Sequence, residues 1–286
     1  MILDGPDYLA PAKINLFLHV VGRRSDGYHL LQTVFRLLDC GDVLRFQIRE
    51  DGLINRINPL PNVSHDEDLI VRAAKALQKI SNQRLGVDIE LEKKLPMGGG
   101  VGGGSSDAAT ALLVLNHLWQ MKLSREQLIG IGLTLGADVP VFLFGKTSFA
   151  EGIGEELHEI SLPQAWYLVL TPPFSVSTKD IFNSSELTRD TKPIKLTAFS
   201  AGADVFSKTH NDLEPVAIKS CPDIGRYIKW LSQFGNARMT GSGSSVFCEF
   251  ATETMAQEAL RQLPQDMKGF VAASCDTHPL HHLADV

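Results

Sequence analysis

The stretch Pro96-Met97-Gly98-Gly99-Gly100-Val101-Gly102-Gly103-Gly104-Ser105-Ser106 holds six glycines in the seven positions from Gly98 to Gly104. Glycine lets successive backbone N–H groups turn toward one point and removes the side chains that would keep a ligand away. Asp107 and then Ala108-Ala109-Thr110-Ala111-Leu112-Leu113 follow, a strong helix former whose first N–H groups and dipole add positive character. Such a construction holds an anion, most naturally a polyphosphate. A flexible linker would be serine-rich with polar, aperiodic flanks, whereas here a strand pattern runs in and an apolar helix runs out. The Gly98–Gly103 match to G-x-G-x-x-G carries little information in so glycine-rich a run, and Gly104 stands where a P-loop needs lysine. Val87, Ile89 and Leu91 alternate with Asp88, Glu90 and Glu92 in the entering strand, the pattern of a half-exposed strand. Rossmann and P-loop strands are instead covered on both faces, so this is a phosphate loop of another kind.

Three further groups could carry chemistry. Lys13 and Asn15 lie two apart on one side of an apolar strand, either on a solvated outer face or as a cation and an amide presented into a cleft. Asp138 stands alone just past a helix end and ahead of a long apolar run. It is either a cap or turn aspartate or a carboxylate held in a partly dry cleft to handle a proton. Tyr28 and His29 close the polar turn Gly22-Arg23-Arg24-Ser25-Asp26-Gly27, which reads as a surface hairpin or as a platform for a planar ligand.

The elements that would position these groups follow from periodicity. Strands are expected over Tyr8–Val21, Leu30–Leu38 and Val43–Arg49, with Ile14, Leu16, Leu18 and Val20 on one face of the first and Lys13, Asn15, Phe17 and His19 on the other. A helix is expected over Asp66–Ile80, with Leu69, Ala73, Leu77 and Ile80 along its apolar stripe. The helix after the glycine loop runs to about Trp119, and Ser124 with Gln127 forms a capping box for another that stops at Gly136. A second pattern begins near Ser161: a strand at Trp166–Leu170, a loop entering a short helix over Val176–Phe182, a loop over Thr191–Ala203, and a helical stretch from Asn211 interrupted by Pro215 and Pro222. Strands at Ala237–Thr240 and Ser245–Phe250, a helix at Glu253–Leu263 and a last strand at Gly269–Ser274 complete the order of a split βαβ sandwich. The tail His278-Pro279-Leu280-His281-His282 reads as solvated rather than as a metal site.

Composition narrows the class. A chain of 286 residues that is 44% hydrophobic and 21% charged reads as an ordinary globular protein with one large core or two modest ones. A net charge of −6 argues against non-specific nucleic-acid binding. No apolar run reaches a membrane span and the N-terminus lacks signal-peptide regions, so a cytoplasmic protein with no membrane partner is expected. Cys40, Cys221, Cys248 and Cys275 are scattered and read as buried thiols in a reducing compartment.

Together, Ala12-Lys13-Ile14-Asn15-Leu16, Arg24-Ser25-Asp26-Gly27-Tyr28-His29, Pro96 to Ala109, Gly136-Ala137-Asp138-Val139-Pro140 and Thr240-Gly241-Ser242-Gly243 resemble the motifs of the GHMP kinase superfamily. Its members transfer the γ-phosphate of ATP to an alcohol or phosphate of a small metabolite. The doubled Gly-Gly-Gly around one aliphatic residue and the Asp-Gly-Tyr-His turn are more specific. They resemble the branch whose acceptor is a cytidine diphosphate-linked methylerythritol of non-mevalonate isoprenoid synthesis. The matches spread over nearly the whole chain. Val101 replaces the usual leucine, keeping the apolar character, and Asp68 replaces an expected asparagine, to which no role is assigned.

The resemblance implies an α+β, two-domain kinase fold. Residues 1–160 would form a mixed or antiparallel sheet with helices and carry the ATP loop, and residues 161–286 a ferredoxin-like split βαβ domain. It implies that Pro96 to Ser106 wrap the ATP phosphates, that Asp138 accepts or orients the proton of the substrate 2-hydroxyl, and that Lys13 holds both and stabilises developing charge. Tyr28, His29 and Phe182 would hold the cytosine, and Asn15 would contact the substrate near the transferred group. Gly241, Ser242 and Gly243 would support the loop or admit substrate phosphates. Magnesium would accompany ATP and touch Ser106, though no acidic pair marks its ligands. A monomer or homodimer is expected. The rival readings are a homoserine- or mevalonate-type kinase without the aromatic turn's function, a non-catalytic nucleotide-binding relative, and a dinucleotide-dependent oxidoreductase.

Overall fold

The computed structural model describes residues 3–61, 63–81, 84–197 and 206–284. Residues 198–203 of the expected Thr191–Ala203 loop lie outside the described residues.

The first two strands, β1 (Tyr8–Arg23) and β2 (His29–Arg49), form a long antiparallel hairpin closed by the Arg24–Tyr28 turn. β2 runs unbroken where two strands are expected. Asp39-Cys40-Gly41-Asp42 has turn composition, but its residues serve tertiary contacts. A Cβ at Gly41 would lie 2.0 Å from the Ala10 carbonyl oxygen, so glycine is there to let β1 pass. Asp42 is buried and accepts the N–H groups of Lys94 and Leu95 at 2.6 and 2.8 Å. β1 is buried on both sides and carries irregularities at Pro11/Lys13 and Asn15/Leu18, which re-aim its side chains. Lys13 and Asn15, each 2% exposed, are therefore not on a solvated face.

β3 (Ile54–Arg56), β4 (Gly86–Glu92), β5 (Ser148–Glu151) and β6 (Glu156–Glu159) extend this half of the sheet. β4 is less exposed than its alternation suggests, because Glu90 is buried accepting the Leu3 N–H at 2.8 Å. Helix α1 (Leu69–Ile80) starts later than expected. Asp68 is its N-cap, taking the Ile70 N–H, and the buried stripe is Ile70, Ala73, Ala74 and Leu77 while Ile80 is exposed. α2 (Gly103–Leu118) begins inside the glycine run and is buried around most of its circumference, as its nearly all-apolar sequence requires. α3 (Arg125–Leu135) has the expected Ser124/Gln127 capping box and Gly136 end. The apolar run after Asp138 is the short helix α4 (Val139–Phe144).

In the second half, β7 (Trp166–Leu170), β8 (Arg238–Met239), β9 (Val246–Phe250) and β10 (Gly269–Cys275) form an antiparallel sheet in the order β10-β7-β9-β8. This is the split βαβ arrangement, with α5 (Thr178–Asn183), α6 (Glu214–Ser220), α7 (Pro222–Leu231) and α8 (Glu253–Arg261) in its crossovers. Ser274 and Cys275 of β10 pair with Leu38 and Leu37 of β2, so the two halves share one sheet.

The histidine tail is solvated only in part: His282 is exposed and His281 half-buried. His278 is 1% exposed, its N–H donates to the Gly145 carbonyl at 2.9 Å, and burial pushes its ring down to about 3. Leu283 and Ala284 join the core built on α2. Local composition hides this because the partners, Gly145 and the core around α2, are more than a hundred residues away in the chain. All four cysteines are free thiols, but only Cys248 is buried; the others are half-buried. Among the described residues no helix is long and apolar enough to cross a membrane.

Candidate active site

Lys13 is held at both its backbone N–H and its ammonium. Its backbone N–H donates to the Val101 carbonyl at 3.0 Å and its Nζ to Asn15 Oδ1 at 2.6 Å. The same Nζ lies 3.1 Å from Asp138 Oδ2 and 5.4 Å above the centre of the Phe35 ring. Asn15 in turn donates from Nδ2 to Thr33 Oγ1 at 2.9 Å, while its own N–H goes to Thr240 Oγ1 at 2.8 Å. The Asn15 amide thus faces inward as the orienting group for the ammonium. Asp138 occupies the N-cap position of α4, but its carboxylate makes no cap hydrogen bond, leaving it for Lys13 and for the cleft.

The glycine loop is clamped between the two halves. The Val101 carbonyl meets β1, and the Gly99 carbonyl accepts the Ser245 N–H at 3.1 Å. Gly100 has φ +77°, and a Cβ there would sit 2.5 Å from the Thr240 carbonyl oxygen. Gly102 has φ +76°, and its Cβ would strike Phe142 at 2.8 Å. Only glycine meets both the dihedral and the clearance at these positions. The Gly241–Gly243 turn is fixed by Asn211, whose Nδ2 donates to the Met239 and Gly241 carbonyls at 2.9 and 2.8 Å. Thr178 Oγ1 and Ser242 Oγ are 2.7 Å apart, tying α5 to this turn.

Two cavities meet over this centre. One, of about 620 Å³, is lined by Lys13, Asn15, Tyr28, His29, Phe182, Gly241 and Ser242 among others. The other, of about 440 Å³, is lined by Pro96, Met97, Gly98, Gly99, Gly100, Gly102, Gly103, Gly104, Ser105 and Gly243, with apolar walls from Leu60, Val63, Leu69 and Ile70. Asp138, Gly100, Ser105, Thr178 and Ser242 line both. Gly243 therefore faces the loop cavity and not the aromatic one. Val101 and Ser106 line neither: their side chains are 1% and 0% exposed, and Val101 contributes only its backbone.

The aromatic end is asymmetric. His29 is buried and stacks on Phe182 with ring centres 5.0 Å apart and planes 29° apart, whereas Tyr28 is 61% exposed at the rim. Burial, then the Arg189 and Arg23 cations, push His29 below its ordinary value, so its ring is neutral at pH 7. Beneath the loop, Lys93 bridges the buried carboxylates of Asp42 and Asp107 and packs under Gly103. Burial and the Asp42 carboxylate outweigh Lys93 at Asp107, whose carboxyl is pushed up to about 7. Burial alone would lower the Lys93 ammonium, but Asp107 and Asp42 hold it above its ordinary value.

Thr33, Phe35, Thr178, Arg189 and Asn211 belong to this architecture and were not singled out as site residues in the sequence, whereas Thr240 stood in the Thr240-Gly241-Ser242-Gly243 motif without a role of its own. Alternation along β2 could have flagged Thr33 and Phe35 as sharing a side, but nothing local identifies their partners.

The GHMP kinases N terminal domain matches residues 68–146 and the GHMP kinases C terminal domain matches residues 195–269. The chain is 58% identical over 272 residues to the 4-diphosphocytidyl-2-C-methyl-D-erythritol kinase of Thiobacillus denitrificans, a match covering 95% of this chain and 96% of that one. It is also 58% identical over 279 residues to the kinase of the same name from Nitrosospira multiformis, covering 96% and 93%. A crystal structure of 4-(cytidine 5'-diphospho)-2C-methyl-D-erythritol kinase superposes with a TM-score of 0.81 at 32% identity, covering 94% of this chain and 99% of that one. A mevalonate kinase structure, with a TM-score of 0.67 at 16% identity and coverage of 94% and 99%, shares the fold alone. A clamped glycine loop, a lysine–aspartate pair where two cavities meet, and these matches over nearly the full length agree: the chain belongs to the GHMP kinases.

Proposed function

We propose that this protein transfers the γ-phosphate of ATP to the 2-hydroxyl of 4-diphosphocytidyl-2-C-methyl-D-erythritol, a step of non-mevalonate isoprenoid synthesis. The observation that carries the reading is the shared lining of the two cavities. Asp138, Gly100, Ser105, Thr178 and Ser242 border both, so a phosphate on the glycine loop and a hydroxyl beside Lys13 would meet there. The relatives at 58% identity bear the name of this kinase. The aromatic cavity, with His29 stacked on Phe182 and Tyr28 at its rim, suits a flat base.

Phosphoryl transfer leaves little covalent chemistry to the protein, so positioning and charge neutralisation carry the rate. Loop N–H groups and the α2 N-terminus would hold the phosphates. Asp138 would take the proton of the attacking hydroxyl, and Lys13 would hold both oxygens and offset developing negative charge. Among the described residues no group of three or more His, Cys, Asp or Glu could hold a metal. The oxygen-bearing side chains that border both cavities are Ser105, Asp138, Thr178 and Ser242, a set that fits a magnesium ion taking most of its ligands from phosphate and water. Ser106 does not fit as a ligand here, since its hydroxyl is fully buried. When bound with ATP, magnesium would supply charge neutralisation at the transferred phosphate.

The test is ADP release from ATP and magnesium with 4-diphosphocytidyl-2-C-methyl-D-erythritol, homoserine or mevalonate in separate assays. Turnover with the cytidylyl compound alone is expected. Turnover with homoserine or mevalonate instead would discard the cytosine site, and ATP binding without turnover on any acceptor would favour a non-catalytic protein.

A further inference from the structure

Arg189 lines neither cavity, yet it hydrogen-bonds two residues that wall the aromatic one, His29 and Phe182. Its Nε donates to His29 Nε2 at 3.0 Å. Its two terminal nitrogens donate to the carbonyls of Phe182 at 2.9 Å, Ser184 at 2.7 Å and Leu187 at 2.9 Å. The Phe182 and Ser184 carbonyls lie at the C-terminal end of α5, so the guanidinium closes that helix end while holding the ring stacked against it.

A guanidinium has five donors and no acceptor, and it stays protonated. The His29 nitrogen that faces it must therefore be a bare acceptor. In a neutral imidazole the proton then resides on the other nitrogen. Burial and the neighbouring Arg189 and Arg23 cations keep the ring neutral, so the doubly protonated form does not blur this choice.

We propose that Arg189 is a positioning residue that fixes His29 as an Nδ1–H donor, so that the aromatic cavity selects a base with a ring-nitrogen acceptor. Cytosine offers a bare N3 to such a donor, whereas uracil presents an N–H and would set two donors against each other. The inference rests on the cytidine reading above for its choice of base, but the tautomer itself does not. Setting a donor against a donor in a largely buried site costs about tenfold or more in affinity.

The experiment uses the ¹⁵N-labelled full-length protein without ligand, with the His29 signals assigned by their loss in His29→Gln. The wild type is expected to show a protonated Nδ1 and a bare Nε2. Arg189→Gln is expected to show a changed proton distribution and to lose its preference for CDP over UDP by about tenfold or more, with ATP binding unchanged. Arg189→Lys, which keeps the cation but not the fork, replaces it if the glutamine variant does not fold. A wild-type ring carrying its proton on Nε2, or a variant that keeps the full CDP preference after the tautomer has changed, overturns the proposal. A wild type with the Nδ1 proton and the CDP preference, but no turnover of the cytidylyl substrate, overturns the proposed reaction and leaves the role of Arg189 standing.

Discussion

Lys13 and Asp138 meet at 3.1 Å, but the lysine side chain is 2% exposed and the aspartate 39%. The cation belongs to the core and the carboxylate to the cleft. Removing each should therefore have different consequences. Asp138→Asn is expected to lower kcat by about two to four orders of magnitude, as for a proton-handling group, with little change in thermal stability because the carboxylate caps nothing. Lys13→Ala is expected to lose activity and also about 2 kcal/mol or more of stability, since its buried stem leaves a hole and its partners go unpaired. ADP release and denaturant unfolding on both variants check this. Equal destabilisation by the two would refute the division of roles.

Asn15 orients the ammonium. Its Oδ1 takes Lys13 Nζ and its Nδ2 is committed to Thr33, so Asn15→Leu should destabilise by about 1–3 kcal/mol through the buried groups it strands. Turnover should fall with it while ATP affinity is kept. A variant with wild-type kcat would show that Lys13 needs no such support.

Glycines of the loop and of the surface should respond in opposite directions. Gly100→Ala combines φ +77° with a contact of 2.5 Å to a backbone carbonyl oxygen. It should cost at least about 1–2 kcal/mol from the left-handed backbone alone and raise the KM for ATP. Gly130→Ala, in α3 with nothing within 4 Å of its added Cβ, should stabilise by about 0.5–1 kcal/mol and leave KM alone. Thermal melts of the pair decide the matter, and a harmless Gly100→Ala would contradict the clamped loop.

The Asp107 carboxyl, raised from 3.8 to about 7 in the folded protein, makes a signed pH prediction. A raised acid means that the folded state binds the proton more tightly than the unfolded state. Its contribution is fully present below about pH 4 and is lost as pH rises through about 7. Asp107→Asn removes this titration, so its stability relative to wild type should improve as pH goes from 4 to 8. Parallel unfolding curves for the two proteins across that range would rule it out.

Some of this protein is legible residue by residue. The capping box at Ser124 and Gln127 with its stop at Gly136, the β7–β10 order with its helices, and the glycine run entering a helix all depend on near neighbours in the chain. Backbone dihedral preference, capping and periodicity act over a few residues, so sequence alone determines them. The rest depends on burial between distant segments. Gly41 reads as a turn until Ala10 is seen against it, and the histidine tail reads as solvated until Gly145 and the α2 core receive part of it. The pairing of Lys13 with Asp138, the choice of Asn15 as its holder, the Lys93 bridge and the hand that Arg189 lays on His29 were decided only by the tertiary structure. Each joins groups whose ionisation or hydrogen bonding depends on what surrounds them, and those surroundings exist only once the chain has closed on itself.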